Sequence, residues 1–272
     1  MSNRINLQGQ SYTNGEMATV TLNSLIWSVV SNASIDSQTG RRKNYCDLLV
    51  FGYGDYIKPL LNTSGAPVSV PDLADNPRGH HRVRVKKYDP ATGQSAWADE
   101  TQPYWIECTA NSKRTEMARA LASAYDAVQR WLMADQRRRQ SFPPIVLNVT
   151  DGQHNGAGDP VQEAHKLFQI GTEDGQVLLF NCHLTHMSTQ ALIFPSDIVQ
   201  IRAMNLPQQE QQGAEQLFEM SSLIPTSMIQ RARDAFNIGL TPGIRGFMYN
   251  ADAQYLINFL NWGTRQSQGI VG

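Results

Sequence analysis

Four short apolar runs, each bounded by turn residues and separated by segments of helical period, constrain this chain more than any other feature. They are CDLLVFG (46–52), PIVLNVT (144–150), QVLLFNCH (176–183) and IRGFMY (244–249). None is long enough for a buried helix. None shows the strict polar alternation of a strand with one solvated face, so they read as strands covered on both sides. Helical spacing predicts helices over 17–32, 112–135, 159–170, 226–236 and 251–261. In the first, Leu22, Leu25, Ile26, Val29 and Val30 share one face; in the second, Met117, Leu121, Ala124, Val128 and Leu132 form the stripe. Asp159 as N-cap, Pro160 in the first turn and Gly171 beyond the end frame the third. Strands alternating with helices imply an α/β fold, a mainly parallel sheet flanked by helices on both faces.

Two segments break that rhythm. Residues 55–80 are rich in Pro, Gly, Ser and Asn and read as loop. HRVRVKKYD (81–89), the turn DPATGQ (89–94) and QPYWIECT (102–109) read as an edge β-hairpin whose charges discourage further pairing. With no linker elsewhere, 1–272 is expected to be a single domain carrying 55–110 as a loop-and-hairpin elaboration. The polar stretch NLPQQEQQGAEQ (205–216) is expected to lie exposed.

Composition narrows the class. Hydrophobic residues make up 41% of the chain, too many for a disordered one. A net charge of −1 gives no sign of a nucleic-acid or membrane partner. Cys46, Cys108 and Cys182 are too scattered for a disulfide framework, which favours a reducing compartment. No signal-like h-region and no apolar run of about 18 residues occurs, so the expectation is a soluble cytoplasmic protein.

In parallel α/β sheets ligands bind beyond the carboxyl ends of the strands. Asp151 stands there, at the mouth of 144–150, in TDGQHNGAGDP (150–160). Asp-Gly is also a common turn dipeptide, so the acid alone is weak evidence. Thr115, at the start of the second helix, can face the same edge. Other candidates are weaker. FGYGDY (51–56) lacks the third glycine and the following helix of a dinucleotide fingerprint. Cys182, His183 and His186 fall short of a zinc site, His80-His81 reads as exposed loop, and no Gly-x-Ser-x-Gly elbow is present.

The blocks LNSLIWSVV, CDLLVFGYGD, TEMARALASAYDAVQRWL, PPIVLNVTDGQHN, LFEMSSLIP and GIRGFMYNADAQYLINFLNWGTR occur in this order over nearly the whole chain. As a set they resemble the von Willebrand factor A domains, in particular their intracellular bacterial relatives. The resemblance implies a doubly wound, Rossmann-like α/β domain and a metal-ion-dependent adhesion site, in which a Mg²⁺ ion joins the domain to an acidic side chain of a partner protein. Thr115 and Asp151 match the threonine and the later aspartate of that site, and their side-chain oxygens are expected within about 7 Å of one another, the span one hydrated Mg²⁺ could join. The family's Asp-x-Ser-x-Ser element is not found. Either Met1 matches the methionine that follows it, so that the first strand is missing, or Gly9, Ser11 and Thr13 are its degenerate remains. On the first reading the sheet is expected to have an unfilled slot, or residues 4–8 pressed into it. Thr115 and Asp151 alone offer two protein oxygens, too few to hold Mg²⁺ well. The expected function is a protein-interaction module with an incomplete cation site. The alternatives are a phosphohydrolase or nucleotide-dependent enzyme on a similar sheet, and a metal-free structural remnant.

Overall fold

The computed structural model describes residues 5–7, 10–89, 93–108, 114–150, 154–184 and 190–250. In chain order these form β1 (Ile5–Leu7), β2 (Gln10–Tyr12), α1 (Asn14–Asn32), β3 (Asp47–Leu48), β4 (Phe51–Tyr53), β5 (Ile57–Pro59), β6 (Val68–Ser69), α2 (Val70–Asp75), β7 (Gly79–Asp89), β8 (Gln94–Tyr104) and α3 (Met117–Ala134). A 3₁₀ turn (Gln136–Gln140) leads to β9 (Ile145–Thr150), α4 (Pro160–Leu167), β10 (Gly171–Thr172), β11 (Gly175–Gln176), β12 (Leu178–His183), β13 (Leu192–Ile193), α5 (Ile198–Arg202), α6 (Gln208–Glu219), α7 (Thr226–Phe236) and β14 (Phe247–Tyr249). The protein is mixed α/β, and no described helix is long and apolar enough to cross a membrane.

The central sheet has the order β13-β14-β12-β9. β12 runs parallel to β9, in register from Leu178↔Ile145 to His183↔Thr150, and parallel to β14 from Asn181↔Phe247 to His183↔Tyr249; β13 is antiparallel to β14. Side chains leave a strand on alternate faces. Leu178, Phe180 and Cys182 therefore enter one core with Leu25 and Val29 of α1 and Met228 and Ala232 of α7. Leu179, Phe247 and Tyr249 enter a second with Met117 of α3, Leu167 of α4 and Leu217 of α6. Helices thus cover both faces. Gly246 is needed where the chain enters β14: its carbonyl accepts from the Asn181 N–H at 2.8 Å, and a Cβ there would run into the Phe180 ring.

Local chemistry sets the helix ends. Thr13 and Glu16 form a capping box on α1: the Glu16 N–H donates to Thr13 Oγ1 at 3.2 Å and the Thr13 N–H to the Glu16 carboxylate at 2.7 Å. Thr13 thus serves as the helix cap; Gly9 lies outside the described residues. Asp159 caps α4 by accepting from the Val161 N–H at 2.9 Å. That helix ends at Leu167, so Gly171 opens β10 instead of closing the helix. The α7 span agrees with expectation. The helix expected over 251–261 lies outside the described residues.

Four expectations are corrected. The run 46–52 does not join the central sheet: it splits into β3, antiparallel to β6, and β4, antiparallel to β5. The Leu60 N–H closes on Val50 O at 2.8 Å, so nearby residues satisfy this backbone at low loop-closure cost. The hairpin is longer than expected and is no edge of that sheet, since β7 and β8 pair only with each other, from Gly79↔Tyr104 to Asp89↔Gln94. Its base is held on α1 by Asn23, whose carboxamide accepts from the Trp105 and Ile106 N–H groups and donates to Ile106 O. The polar stretch 205–216 lies largely in α6, which buries Ala214, Leu217 and Phe218 against the sheet. Residues 55–80 likewise hold β5, β6 and α2.

Among the described residues, β9 is paired on one side only. β1 pairs with β2 and with no other described strand, so residues 5–7 do not fill the place beside β9.

Candidate functional site

β9, β12 and β14 end level with one another at Thr150, His183 and Tyr249. The Leu184 N–H closes on Thr150 O at 2.7 Å, and Asp151 follows directly. Asp151 lies outside the described residues, as does His186. The chain reappears at His154 and folds onto the start of α3. There the Thr115 N–H donates to Asn155 Oδ1 at 2.7 Å, and His154 Nδ1 lies 3.0 Å from Thr115 O. His154 Nε2 lies 3.1 Å from Gly158 O. Both acceptors are carbonyl oxygens, so a neutral ring makes one of these bonds and only the imidazolium makes both. Residues 154–155 thus pack on the turn at Thr115, and the separation expected between Thr115 and Asp151 falls on a residue outside those described.

Glu116 was missed by sequence reasoning. It is 4% exposed, at the N-terminus of α3, where a helix dipole favours a negative charge. Its Oε2 accepts from the Ala157 N–H at 3.3 Å, and Arg114 lies 3.8 Å from Oε1. A Cβ at Gly156 would stand 2.5 Å from Oε2, so glycine is what lets the loop come this close. An acid at a helix start facing a Gly- and Asn-rich loop was the signal available in the sequence.

The second cluster lies on the α6 side of the same edge. His183 is buried at 1% exposure, its ring 4.7 Å from that of Tyr249, with Nε2 3.7 Å from Glu210 Oε2. The Tyr249 hydroxyl lies 3.5 Å from the same carboxylate oxygen. Cys182 points to the opposite face and joins the other core, so it shares no site with His183. Burial pushes its thiol up to about 12. His81 stands on the ribbon against Tyr104. FGYGDY runs from β4 into β5, without a helix start to receive a phosphate.

The donor set does not fit a resident Mg²⁺. That ion asks for close to six oxygens in octahedral array. Among the described residues no group of three His, Cys, Asp or Glu side chains converges. Thr115 brings one hydroxyl, and Glu116 already serves the Ala157 N–H. Thr115 and Asp151, the two residues that the sequence puts forward, bring two of the needed oxygens.

No protein-family model matches this chain, and no curated protein or solved structure shows significant similarity to it.

Proposed function

We propose that the chain is a non-catalytic protein-interaction module of the von Willebrand factor A type, doubly wound and Rossmann-like, that works in the cytoplasm. Its partner docks at the edge where the loop after β9 meets the start of α3. The observation that carries this reading is the pair of contacts from His154 and Asn155 to the two backbone groups of Thr115. They bring the turn at Thr115 against the loop that follows a parallel strand, the end at which α/β sheets bind ligands, which supports the reading. An acidic partner side chain and Mg²⁺ belong to the resemblance. Because Thr115 and Asp151 alone do not make a cation site, no step of the docking is assigned to the ion, and a chelator is an arm of the test. The full chain, immobilised, is offered to extracts of its native host, and retained proteins are quantified for wild type, Thr115→Ala and Asp151→Ala, with and without chelator. The expected result is a partner that wild type retains and Asp151→Ala loses by roughly ten-fold or more, the scale of losing a charge-assisted contact. Equal retention by both variants overturns the assignment.

A further inference from the structure

We infer that the exposed face of the β7–β8 ribbon is a docking surface for single-stranded nucleic acid. It lies on a different element from Thr115 and Asp151 and owes nothing to the adhesion-site reading.

The ribbon's register divides its residues between two faces. The His81 and Tyr104 rings lie 5.5 Å apart, and Gln102 Nε2 donates to Glu100 Oε2 at 3.3 Å, so these residues share one face. Along it Val83, Ala98, Glu100, Gln102 and Tyr104 are half-buried. Residues one position along belong to the other face. There Arg82, Trp97, Asp99 and Thr101 are all exposed, Trp97 at 49%. The pairs Arg82↔Thr101, Arg84↔Asp99 and Lys86↔Trp97 place Arg84 and Lys86 on that face too.

The overall charge of −1 conceals a local imbalance. The exposed face carries Arg82, Arg84 and Lys86 against Asp99 alone, while the half-buried one carries Lys87 against Asp89 and Glu100. Alternate residues of a strand recur about every 6.8 Å, so the three cations form a row along β7. Such a row attracts a polyanion whose charges repeat along a line. Trp97, paired across from Lys86, adds a flat ring that is half in water to the end of the row.

Trp97 decides which polyanion fits. In a single strand a base stacks on an aromatic ring while the phosphates meet the basic row. In a duplex the bases already stack on one another and offer no face to the indole. An acidic peptide would engage the cations and leave the ring unused. A lipid surface would ask for apolar residues around the tryptophan, whereas the next residues of β8 on the same face are Asp99 and Thr101, both exposed. Asp99 suits a nucleic acid in a second way. Its carboxylate is an acceptor for the exocyclic amine of a base, as for cytosine N4. The matching probe is therefore oligo-deoxycytidylate.

The test is fluorescence anisotropy with the full chain, at low salt and neutral pH, and a labelled oligo-deoxycytidylate of about twelve nucleotides, a length within the site sizes of single-strand binders. Saturable binding is expected. Its log affinity should fall with log salt at a slope of about −0.7 for each cation engaged. Arg82→Gln should flatten that slope by about 0.7. Trp97→Ala should weaken binding roughly five-fold or more, and Trp97→Phe, which keeps a ring, should lose less. Thr115→Ala and Asp151→Ala should bind as wild type does, so this site and the adhesion-site reading can fail separately. Absence of saturable binding overturns the inference, and so does Trp97→Ala binding as tightly as wild type. Three competitors can overturn it as well. A duplex of the same length that competes better than the single strand would mean groove binding. A poly-glutamate peptide that competes equally would mean an acidic protein segment. Vesicles containing phosphatidylserine that displace the oligonucleotide would mean a membrane surface.

Discussion

β9 and β12 are parallel neighbours of equal length, in unbroken register over six residues. Both are apolar runs interrupted at the fourth position by asparagine. All six residues of β12 are buried, whereas in β9 only Asn148 and Thr150 are. The cause is pairing. β12 has β9 on one side and β14 on the other, and among the described residues β9 has β12 alone. Hydrophobicity records which faces of a strand are covered, because side chains point to the faces. It does not record how many edges are paired, because edges are backbone, which every residue shares. A chain can therefore carry two strands of the same composition and leave one half-built into its sheet.

Proline separates the two edges of β9 most sharply. At Val146 it removes an N–H that serves β12, and at Leu147 one that faces the open side. Relative to Val146→Ala, Val146→Pro is expected to cost about 3 kcal/mol or more, the scale of a proline forced into a hydrogen-bonded element. Relative to Leu147→Ala, Leu147→Pro is expected to cost about 1 kcal/mol or less, as at an ordinary edge. Urea unfolding midpoints of the four variants measure both differences. Equal penalties at the two positions would mean that β9 is paired on both sides and that the comparison with β12 is false.

Much of this was legible in the sequence, for reasons that are local. The ranges expected for β9 and α7 and the Asp159 cap held because periodicity and capping act within a few residues. Thr115 and Asp151 were expected at one edge because an α/β sheet brings its strand ends there, and Asp151 lies outside the described residues. What failed was non-local. The run 46–52 looks like any strand of the sheet, and only its pairing with residues 57–59 and 68–69 takes it out. In α6 three buried residues, Ala214, Leu217 and Phe218, suffice to seat a glutamine-rich helix that composition alone assigns to solvent. Asn148 and Asn181 read as single polar interruptions. They become a pair only when the register sets them side by side.

That pair supplies the next largest effect. Asn148 Nδ2 donates to Asn181 Oδ1 at 2.8 Å, and Asn181 Nδ2 donates to Ser221 Oγ at 3.0 Å and to Leu217 O at 3.2 Å. The Tyr53 hydroxyl joins from β4, donating to Asn148 Oδ1 at 2.6 Å. Asn181→Leu leaves the Asn148 amide without its acceptor in a buried place, while the Ser221 hydroxyl keeps its bond to Leu217 O, and is expected to cost about 2–3 kcal/mol. Tyr53→Phe removes a single donor at the half-open end of the network and should cost about 1 kcal/mol. The ordering repeats the contrast of the two strands, with the larger loss on β12. Denaturant unfolding of both variants and of the double variant tests it. A Tyr53→Phe loss as large as that of Asn181→Leu would show that the β9 side is as fully desolvated as the β12 side.

The smallest effect reaches the two strands unequally through α6. Arg202 on α5 bonds the Glu215 carboxylate on α6, with Nε to Oε1 at 3.0 Å, and Gln211 adds a second donor at 2.9 Å. The Arg202 guanidinium, and then the Gln211 amide, hold the Glu215 carboxyl below its ordinary value of 4.5. A depressed carboxylate stabilises the folded state above its unfolded value and loses that contribution as pH falls through its folded one. The pair is partly exposed and salt-screened, so the change is small and confined to acid below about pH 4.5. α6 meets the sheet at β12, where Leu217 O takes the Asn181 amide. Loosening α6 in acid is therefore expected to speed exchange of the β12 amides more than that of the outward amides of β9. Glu215→Gln should reproduce the faster β12 exchange at neutral pH and remove its acid dependence. Exchange rates at pH 6 and pH 4 need correction for the intrinsic pH dependence of the chemistry before they are compared. Equal acceleration on both strands would mean that acid loosens the sheet as a whole, and that α6 has no special hold on the fully paired strand.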